Sequence, residues 1–293
     1  MRVCVGVMAY NEGANIASSL RSLLSQDGPH LTDLSVVVVA SGCTDDTVTR
    51  ARSAGARDPR LKIVEQSRRE GKAAAIGVLL GEARGSDVVV LAGADTVPEP
   101  GALEALAAPF DDPRVGMTGG RPVPINDPGT AMGRIVHLLW DLHHSVALTH
   151  PKLGELVAFR PLFASLSATA VDEAAVEALV RARGLRLVYV PEARVRMKGP
   201  CSISEFLAQR RRIHAGHLRL YRTQSYRVST LSTAGVVRIA WRARPRGASG
   251  FSTLLAAAAL EATARALGTW DERVAGRRHE IWERIPSTKD LSP

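Results

Sequence analysis

The chain has 293 residues, of which 45% are hydrophobic and 23% charged, so it can form one large α/β domain with an extension or two modest domains. Aromatic residues make up only 4%, which argues against a surface that binds single-stranded nucleic acid or carbohydrate by stacking. The three cysteines are scattered and favour a reducing compartment over a disulfide framework. Neither a membrane-spanning apolar run nor a signal peptide is evident, so we expect a cytoplasmic protein.

The net charge of +9 is concentrated in one part of the chain. Residues 181–246 hold 16 Lys and Arg against two acids. Such a block needs an anionic partner or a solvated face, and nucleotide phosphates, an anionic membrane and nucleic acid are the candidates. Because no nucleic-acid recognition motif accompanies the block, we expect no nucleic-acid partner.

Strands and helices alternate in the first third of the chain. Buried strands are predicted from unbroken apolar runs, and helices from apolar residues at helical spacing. The strands are Arg2–Met8, Leu34–Ala40, Leu61–Val64 and Val88–Ala92, and the clearest helices are Ala14–Ser25 and Gly71–Ala83. This alternation predicts an α/β fold with a parallel, doubly wound sheet.

The pattern loosens beyond residue 120. A proline-rich loop is expected at Arg121–Pro128, and the end of the chain, Pro286–Pro293, is expected to fray. The remaining predicted elements are the helices Ala131–Leu148, Val171–Arg183 and Ser204–Tyr221 and the strand Leu185–Val190. We predict one continuous domain over residues 1–221, with halves 1–120 and 121–221, followed by a basic, mainly helical extension over 222–293.

Asp95 stands directly after the buried strand Val88–Ala92. Ligands of open α/β sheets bind beyond the carboxyl ends of such strands. A carboxylate at that place can hold a divalent cation, and the cation can hold a diphosphate. A structural reading, in which Asp95 caps a helix before Pro98, is the weaker alternative.

Two further motifs are compatible with phosphate and proton-transfer chemistry. Gly71-Lys72 opens a helix, where backbone N–H groups and a lysine favour phosphate, although a surface lysine is the plain alternative. Asp172 and Glu173 open another helix. Either carboxylate can act as a general base, or both can serve only the helix dipole.

The same segments, in the same order, resemble family 2 inverting glycosyltransferases with the nucleotide-diphospho-sugar transferase (GT-A) fold. The resemblance covers roughly residues 1–221, and each segment alone is weak. It lies in Val5–Glu12, Val38–Thr47, Gly71–Ile76, the strand ending at Asp95, Asp172-Glu173, Val188–Ala193 and Gln209–Arg212.

The resemblance implies a role for particular residues. It implies that the donor nucleotide and its diphosphate contact Ala9, Tyr10, Glu12, Ser41, Lys72, Gly93, Ala94, Arg210 and Arg212. It implies Glu173, or its neighbour Asp172, as the catalytic base. It implies Asp95 as the ligand of Mg²⁺ or Mn²⁺, with His217 as a further ligand. Gly93 departs from the family's Asp-any-Asp motif, in which an aspartate precedes Asp95 by two positions.

The favoured function is therefore an inverting, metal-dependent transfer of a sugar from a nucleotide-diphosphate sugar, with a UDP-sugar favoured, to an acceptor hydroxyl. The acceptor is a lipid-linked or a small natural-product molecule. Two alternatives stay open: a degenerate, non-catalytic sugar-nucleotide-binding protein, and a nucleotidyltransferase. The basic residues 210–246 and the amphipathic stretch Leu254–Leu267 predict peripheral binding to the inner face of an anionic membrane.

Overall fold

The computed structural model describes residues 1–229, 248–281, 285–289 and 291. Within these residues, eight strands form one sheet in the order β3-β2-β1-β4-β7-β6-β8-β5. The strands are Arg2–Ala9 (β1), Asp33–Ser41 (β2), Leu61–Gln66 (β3), Val88–Gly93 (β4), Thr96–Pro98 (β5), Val115–Pro124 (β6), Leu156–Phe159 (β7) and Arg186–Met197 (β8).

Helices flank this sheet. The described α-helices are Ile16–Leu24 (α1), Thr47–Ala54 (α2), Lys72–Glu82 (α3), Ala102–Ala107 (α4), Ala131–Ala147 (α5), Asp172–Ala182 (α6), Ile203–Gln224 (α7) and Ala248–Trp270 (α8). Strands β3, β2, β1 and β4 run parallel to one another, and β6 runs parallel to β8. Strand β7 is antiparallel to both β4 and β6. The predicted α/β architecture with a mostly parallel sheet is confirmed.

The sheet is buried on both faces, and the four-valine run of β2 shows why. Val36 and Val38 belong to the hydrophobic cluster on one face, whereas Val37 and Val39 belong to the cluster on the other. All four are at most 4% exposed. A strand covered by helices on both sides needs apolar residues at every position, so its sequence does not alternate.

The proline-rich segment after residue 120 is not the loop that the sequence predicts. Residues 121–124 complete β6, with Arg121 opposite Arg194 and Pro122 opposite Val195 of β8. The pairing of β6 with β7 covers only Met117 to Gly119. Beyond that point β6 pairs with β8 alone, so a proline can leave its missing N–H on the unpaired side.

The C-terminal helix α8 packs on the part of the chain that precedes it. Ile135, Leu138 and Leu142 of α5, Phe206 of α7 and Ala257 of α8 share one hydrophobic cluster. The predicted boundary at residue 221 falls inside α7 and stays a prediction. Of the basic block, residues 230–247 lie outside the described residues. No helix in the described part of the chain is both long and apolar enough to cross a membrane.

The end of the chain is anchored where the sequence predicts fraying. Pro286–Lys289 forms a 3₁₀ turn. The Ser287 hydroxyl donates to Glu205 Oε2 at 2.6 Å, and the Leu291 N–H donates to Asn15 Oδ1 at 3.0 Å. The prediction is therefore wrong for these residues, because side-chain acceptors on α7 and before α1 bind the segment.

Candidate active site

The site begins where three parallel strands end side by side. Ala9 of β1 lies opposite Ala40 of β2, and Met8 of β1 lies opposite Gly93 of β4. The residues that follow these strands therefore meet at one edge of the sheet, at the place where open α/β sheets bind ligands. Glu12, Ser41 and Asp95 all lie there, as the sequence predicts.

A cavity of about 430 Å³ opens at this edge. Its wall contains nearly all the residues predicted from the sequence, including those from the second half of the chain. These are Ala9, Tyr10, Glu12, Ser41, Lys72, Gly93, Asp95, Asp172, Glu173, Arg210, Arg212 and His217. The structure places Ala94 elsewhere, since this residue is 2% exposed and packs in the hydrophobic core.

One side of the cavity is formed by the turns after β1 and β2. The guanidinium of Arg69 stacks on the ring of Tyr10, 4.0 Å from its centroid. The Ser41 hydroxyl is buried and has no hydrogen-bond partner among the described residues. A buried hydroxyl without a partner is unfavourable, so it is available to a polar group of a bound ligand.

Lys72 and two carboxylates form an ionic cluster in the middle of the cavity. Lys72 Nζ lies 2.6 Å from Glu173 Oε1 and 3.8 Å from Asp172 Oδ2. Burial lowers the pKa of Lys72, but the charges of Glu173 and Asp172 outweigh burial and raise it above its ordinary value. Lys72 is therefore a permanent cation at the N-terminus of α3, where the helix dipole adds to its attraction for phosphate.

The two adjacent carboxylates of α6 differ in their ionisation. Burial raises the pKa of Glu173, but the charge and hydrogen bond of Lys72 outweigh burial and hold it below its ordinary value. Burial raises the pKa of Asp172 to about 6, and its Oδ1 has no hydrogen-bond partner among the described residues. At neutral pH, Glu173 is thus the more fully ionised base.

Glu155 is a further carboxylate in the wall of the cavity. It has a φ of 60°, which is uncommon for a residue with a side chain. Burial, and then the charges of Asp95 and Glu173, raise its pKa to about 7. The sequence places Glu155 in the segment that resembles the family's acceptor side, as a candidate acceptor contact, and the structure places it in the wall of the cavity.

Lys289 is a residue of the cavity wall that the sequence gives no means of finding. Its Nζ lies 2.7 Å from Asp95 Oδ2 and 2.5 Å from Glu12 Oε1. Asp95 is separated from it by 194 residues along the chain. A single lysine in a polar tail carries no sequence signal for such a contact.

The three consecutive arginines of α7, at positions 210–212, have different partners. Arg210 donates to both oxygens of Glu261 in α8, at 2.8 and 3.0 Å, and Arg211 pairs with the buried Asp271. Arg212 lines the cavity and donates to the Ala170 carbonyl at 3.3 Å. Arg211 therefore serves the contact between helices, whereas Arg212 reaches the carboxylates of α6.

His217 also lines the cavity, close to Lys152 and Arg210. It is 8% exposed, and burial lowers its pKa well below the ordinary value, as do the neighbouring charges of Lys152 and Arg210. In the described ranges, no three His, Cys, Asp or Glu residues form a group that could hold a metal ion. A role for His217 in metal binding stays a prediction.

The sequence matches the family model described as glycosyl transferase family 2 over residues 4–170. That match covers more than half of the chain and includes the β1, β2 and β4 turns described above. The chain belongs to glycosyl transferase family 2. It is thus a glycosyltransferase by family, and the resemblance inferred from the sequence is confirmed.

Solved structures show the same fold at low sequence identity. A mannosyltransferase from Pyrobaculum calidifontis, in complex with GDP-Man and Mn²⁺, is 21% identical with a TM-score of 0.65, over 94% of this chain and 88% of that one. Glucosyl-3-phosphoglycerate synthase from Mycobacterium tuberculosis, in complex with Mn²⁺, UDP-Glc and glycerol 3-phosphate, is 22% identical with a TM-score of 0.53, over 78% and 82%. These likenesses confirm the GT-A fold predicted for this family 2 member.

A relative is also found by sequence. An uncharacterised protein of Mycobacterium tuberculosis (strain CDC 1551 / Oshkosh) is 34% identical over 115 residues, which is 39% of this chain. The match spans about a third of that relative's length, 34%. The relative's description names no activity and no substrate.

Proposed function

We propose that this family 2 enzyme is an inverting glycosyltransferase that moves a sugar from a nucleotide-diphosphate sugar to an acceptor hydroxyl. The observation that carries the proposal is the shared cavity, in which Asp95 of the nucleotide half lies with Glu173 and Lys72. Nucleotide-sugar complexes of the two structural neighbours, with GDP-Man and UDP-Glc, support this donor class. We favour a UDP-sugar as the donor.

Each residue has a distinct part in the proposed reaction. Glu173, ionised beside Lys72, accepts the proton of the acceptor hydroxyl as its oxygen attacks the sugar carbon on the face opposite the nucleotide. The bond from that carbon to the diphosphate oxygen breaks, and the electron pair leaves with the nucleoside diphosphate. Lys72 and Arg212 offset the negative charge that develops on the leaving group.

A divalent cation fits the nucleotide side of the cavity. The residues there already hold one cation, because the Lys289 ammonium bonds Asp95. Carboxylate oxygens are the ligands that Mg²⁺ and Mn²⁺ prefer, and both structural neighbours named above contain Mn²⁺. When bound at Asp95, Mg²⁺ or Mn²⁺ would supply charge neutralisation for the diphosphate.

The acceptor is proposed from the second half of the cavity and from the surface of α8. Trp140, Glu155 and Gln209 line the cavity on that side. Phe251 and Leu255 are more than half exposed on α8 and lie four residues apart, on one face of the helix. We propose a lipid-linked acceptor and peripheral membrane binding, with a small natural-product acceptor as the alternative.

A donor screen followed by a product assay tests the function. A ligand that binds only the folded state raises the unfolding midpoint, so nucleotide sugars are compared with and without Mn²⁺. We expect at least one nucleotide sugar to raise the midpoint and to give a glycosylated product by mass spectrometry. If a nucleotide sugar binds but is neither transferred nor hydrolysed, the result would instead support a non-catalytic sugar-nucleotide-binding protein. We name this alternative because the chain has glycine at position 93, where the family's motif has an acid.

A further inference from the structure

The ammonium group of Lys289 contacts the carboxylates of Glu12, which follows β1, and of Asp95, which follows β4. Lys289 Nζ lies within 2.7 Å of Asp95 Oδ2 and within 2.5 Å of Glu12 Oε1. Glu12 is 4% exposed, and β1 and β4 are neighbours in the sheet. Two carboxylate oxygens from separate strands thus reach one common point, and that point holds a cation.

Gly93 leaves room for the observed position of the Asp95 carboxylate. The family's motif has an acid at this position, but a Cβ at residue 93 would lie 2.6 Å from Asp95 Oδ1. Any side chain there would force the Asp95 carboxylate to move. With glycine at 93, the carboxylate keeps its direction toward Lys289, and Glu12 offers the second oxygen.

The lysine is held at this point as a charged group. Its ammonium contacts the carboxylates of both Asp95 and Glu12, whose negative charges offset the cost of burying the lysine. On one side of Lys289, the Ser287 N–H and hydroxyl donate to the Glu205 carboxylate, at 3.1 and 2.6 Å. On the other side, the Leu291 N–H is bound by Asn15. Contacts on both sides therefore position the lysine.

We propose that Glu12 and Asp95 together form the divalent-cation site of this chain, and that the Lys289 ammonium occupies this site until Mg²⁺ or Mn²⁺ displaces it. The inference rests on the proposed function, which places the donor diphosphate at Asp95. Two carboxylate oxygens, two diphosphate oxygens and water complete the six ligands of such an ion. Glu12 thereby replaces the aspartate that is missing at position 93.

Displacement has a measurable consequence for metal affinity. A metal ion that enters the site must first break both contacts of Lys289, so its apparent affinity is the intrinsic affinity multiplied by the fraction of chains in which the lysine is released. Removing the ammonium removes this competition. We therefore expect Lys289→Gln to bind Mn²⁺ at least about tenfold more tightly than the parent chain, which corresponds to about 1.4 kcal/mol.

The experiment is a titration of the full chain with Mn²⁺ alone, in which free Mn²⁺ is read from its electron paramagnetic resonance signal. Lys289→Arg keeps the charge and should keep the weak binding. Lys62→Gln, which removes a lysine that pairs with Glu82 on the surface, is the matched control and should leave binding unchanged. Glu12→Gln in the Lys289→Gln background should weaken binding by at least about tenfold.

Several results would overturn the proposal. Equal Mn²⁺ affinity in Lys289→Gln and the parent chain would show that the lysine does not compete. Unchanged affinity after Glu12→Gln would remove Glu12 from the site. If Lys289→Gln instead loses binding of UDP and of GDP in the presence of EDTA, the lysine serves the diphosphate directly. Unfolding midpoints within a few degrees of the parent value show that each variant is folded.

These outcomes are separate from those that test the proposed function. A chain that transfers a sugar, but whose Lys289→Gln variant binds Mn²⁺ no more tightly, would remain a glycosyltransferase without this competition. A chain that transfers no sugar under any condition would contradict the proposed function. Its Mn²⁺ titrations would still show whether Glu12, Asp95 and Lys289 share one cation position.

Discussion

At the scale of single residues, the environment of a carboxylate decides its chemistry. Glu173 and Asp172 are adjacent, yet only Glu173 has a short contact with Lys72, and only Asp172 has a pKa raised to about 6. The reason is that burial is opposed by a close cation in the first case and only by a more distant one in the second. Roles can therefore be assigned to two neighbours that the sequence alone leaves equivalent.

The first prediction concerns the base. Glu173→Gln should lower the turnover rate at least about a hundredfold with little change in donor affinity, because the amide cannot accept the acceptor's proton. Steady-state kinetics together with calorimetric titration of the donor measure the two quantities. Asp172→Asn is the matched control, and a large loss there with a small loss in Glu173→Gln would transfer the role to Asp172.

The second prediction concerns Asp95. Asp95→Asn should abolish transfer and remove the dependence of donor binding on divalent cations, because the amide is a far weaker ligand than the carboxylate. Donor binding is measured with Mn²⁺ and with EDTA. Turnover that persists unchanged in this variant would contradict the metal-binding role.

The third prediction concerns Glu177, which is 1% exposed and lies outside the proposed reaction. Burial raises its pKa to about 7, against hydrogen bonds from the Leu153 N–H and the Tyr226 hydroxyl that lower it. In the unfolded chain the group ionises at its ordinary, lower pKa. The folded chain thus binds a proton that the unfolded chain releases, and stability falls as pH rises from about 5 to about 7.

Denaturant unfolding across this pH range tests the assignment to Glu177. One proton bound only by the folded state changes the free energy of unfolding by at most about 1.4 kcal/mol per pH unit. Glu177→Gln should reduce the slope of the unfolding free energy against pH by up to this amount. Part of the slope should remain, because Glu155 and Asp172 also have raised pKa values. If the unfolding free energies of the two chains change with pH in parallel, Glu177 does not cause the pH dependence.

At the scale of elements, α7 and α8 are joined by ion pairs rather than by apolar contacts alone. Glu261 of α8 accepts from Arg210 of α7 and from Arg265 of its own helix. Asp271, which follows α8 and is fully buried, pairs with Arg211. Of the three consecutive arginines at positions 210–212, Arg210 and Arg211 thus stabilise the packing of helices.

The fourth prediction follows from this division. Glu261→Gln should lower the free energy of unfolding by about 3 kcal/mol, because it leaves the Arg210 guanidinium partly buried without its carboxylate. Chemical denaturation measures the change. Glu82→Gln, which removes the surface partner of Lys62, is the control and should cost less than about 1 kcal/mol. Equal losses in both variants would show that the α7–α8 pair adds no special stability.

At the scale of the whole molecule, charge and exposed apolar side chains are placed together near the C-terminal end. Phe251, Leu255 and Trp270 of α8 are each more than half exposed, and the basic helix α7 packs against α8. Apolar side chains beside Lys and Arg suit the surface of an anionic bilayer. A chain bound at this surface would meet an acceptor that is itself attached to the membrane.

The fifth prediction is that the chain co-sediments with anionic vesicles, and less with neutral ones. Each Lys or Arg near such a surface contributes about 1 kcal/mol, and salt weakens the attraction. Phe251→Ser combined with Leu255→Ser should reduce binding further while leaving the fold intact. If vesicles of phosphatidylserine at low salt sediment none of the protein, the membrane proposal fails and the small-molecule acceptor is favoured.

The sequence alone predicts the strands β1 to β4 and many of the residues in the cavity wall, but not the strands β5, β6 and β7. The valines of β2 and the run before Asp95 predict buried parallel strands, because hydrophobic pattern is a local property that each segment carries alone. Parallel strands then bring their carboxyl ends to one edge, so Glu12, Ser41 and Asp95 are predicted together. In the structure these three residues lie at that edge and line one cavity with Glu173 and Lys72, which the sequence also predicts as site residues.

Only the tertiary structure decided which side chains share a partner. Lys289 meets Asp95 across 194 residues, and Arg210 meets Glu261 across 51. No local pattern encodes such contacts, because they depend on the order of strands, on the packing of α8 and on the path of the last residues. The sequence therefore predicts which residues belong to the site. Their protonation states and their contacts depend on the tertiary structure.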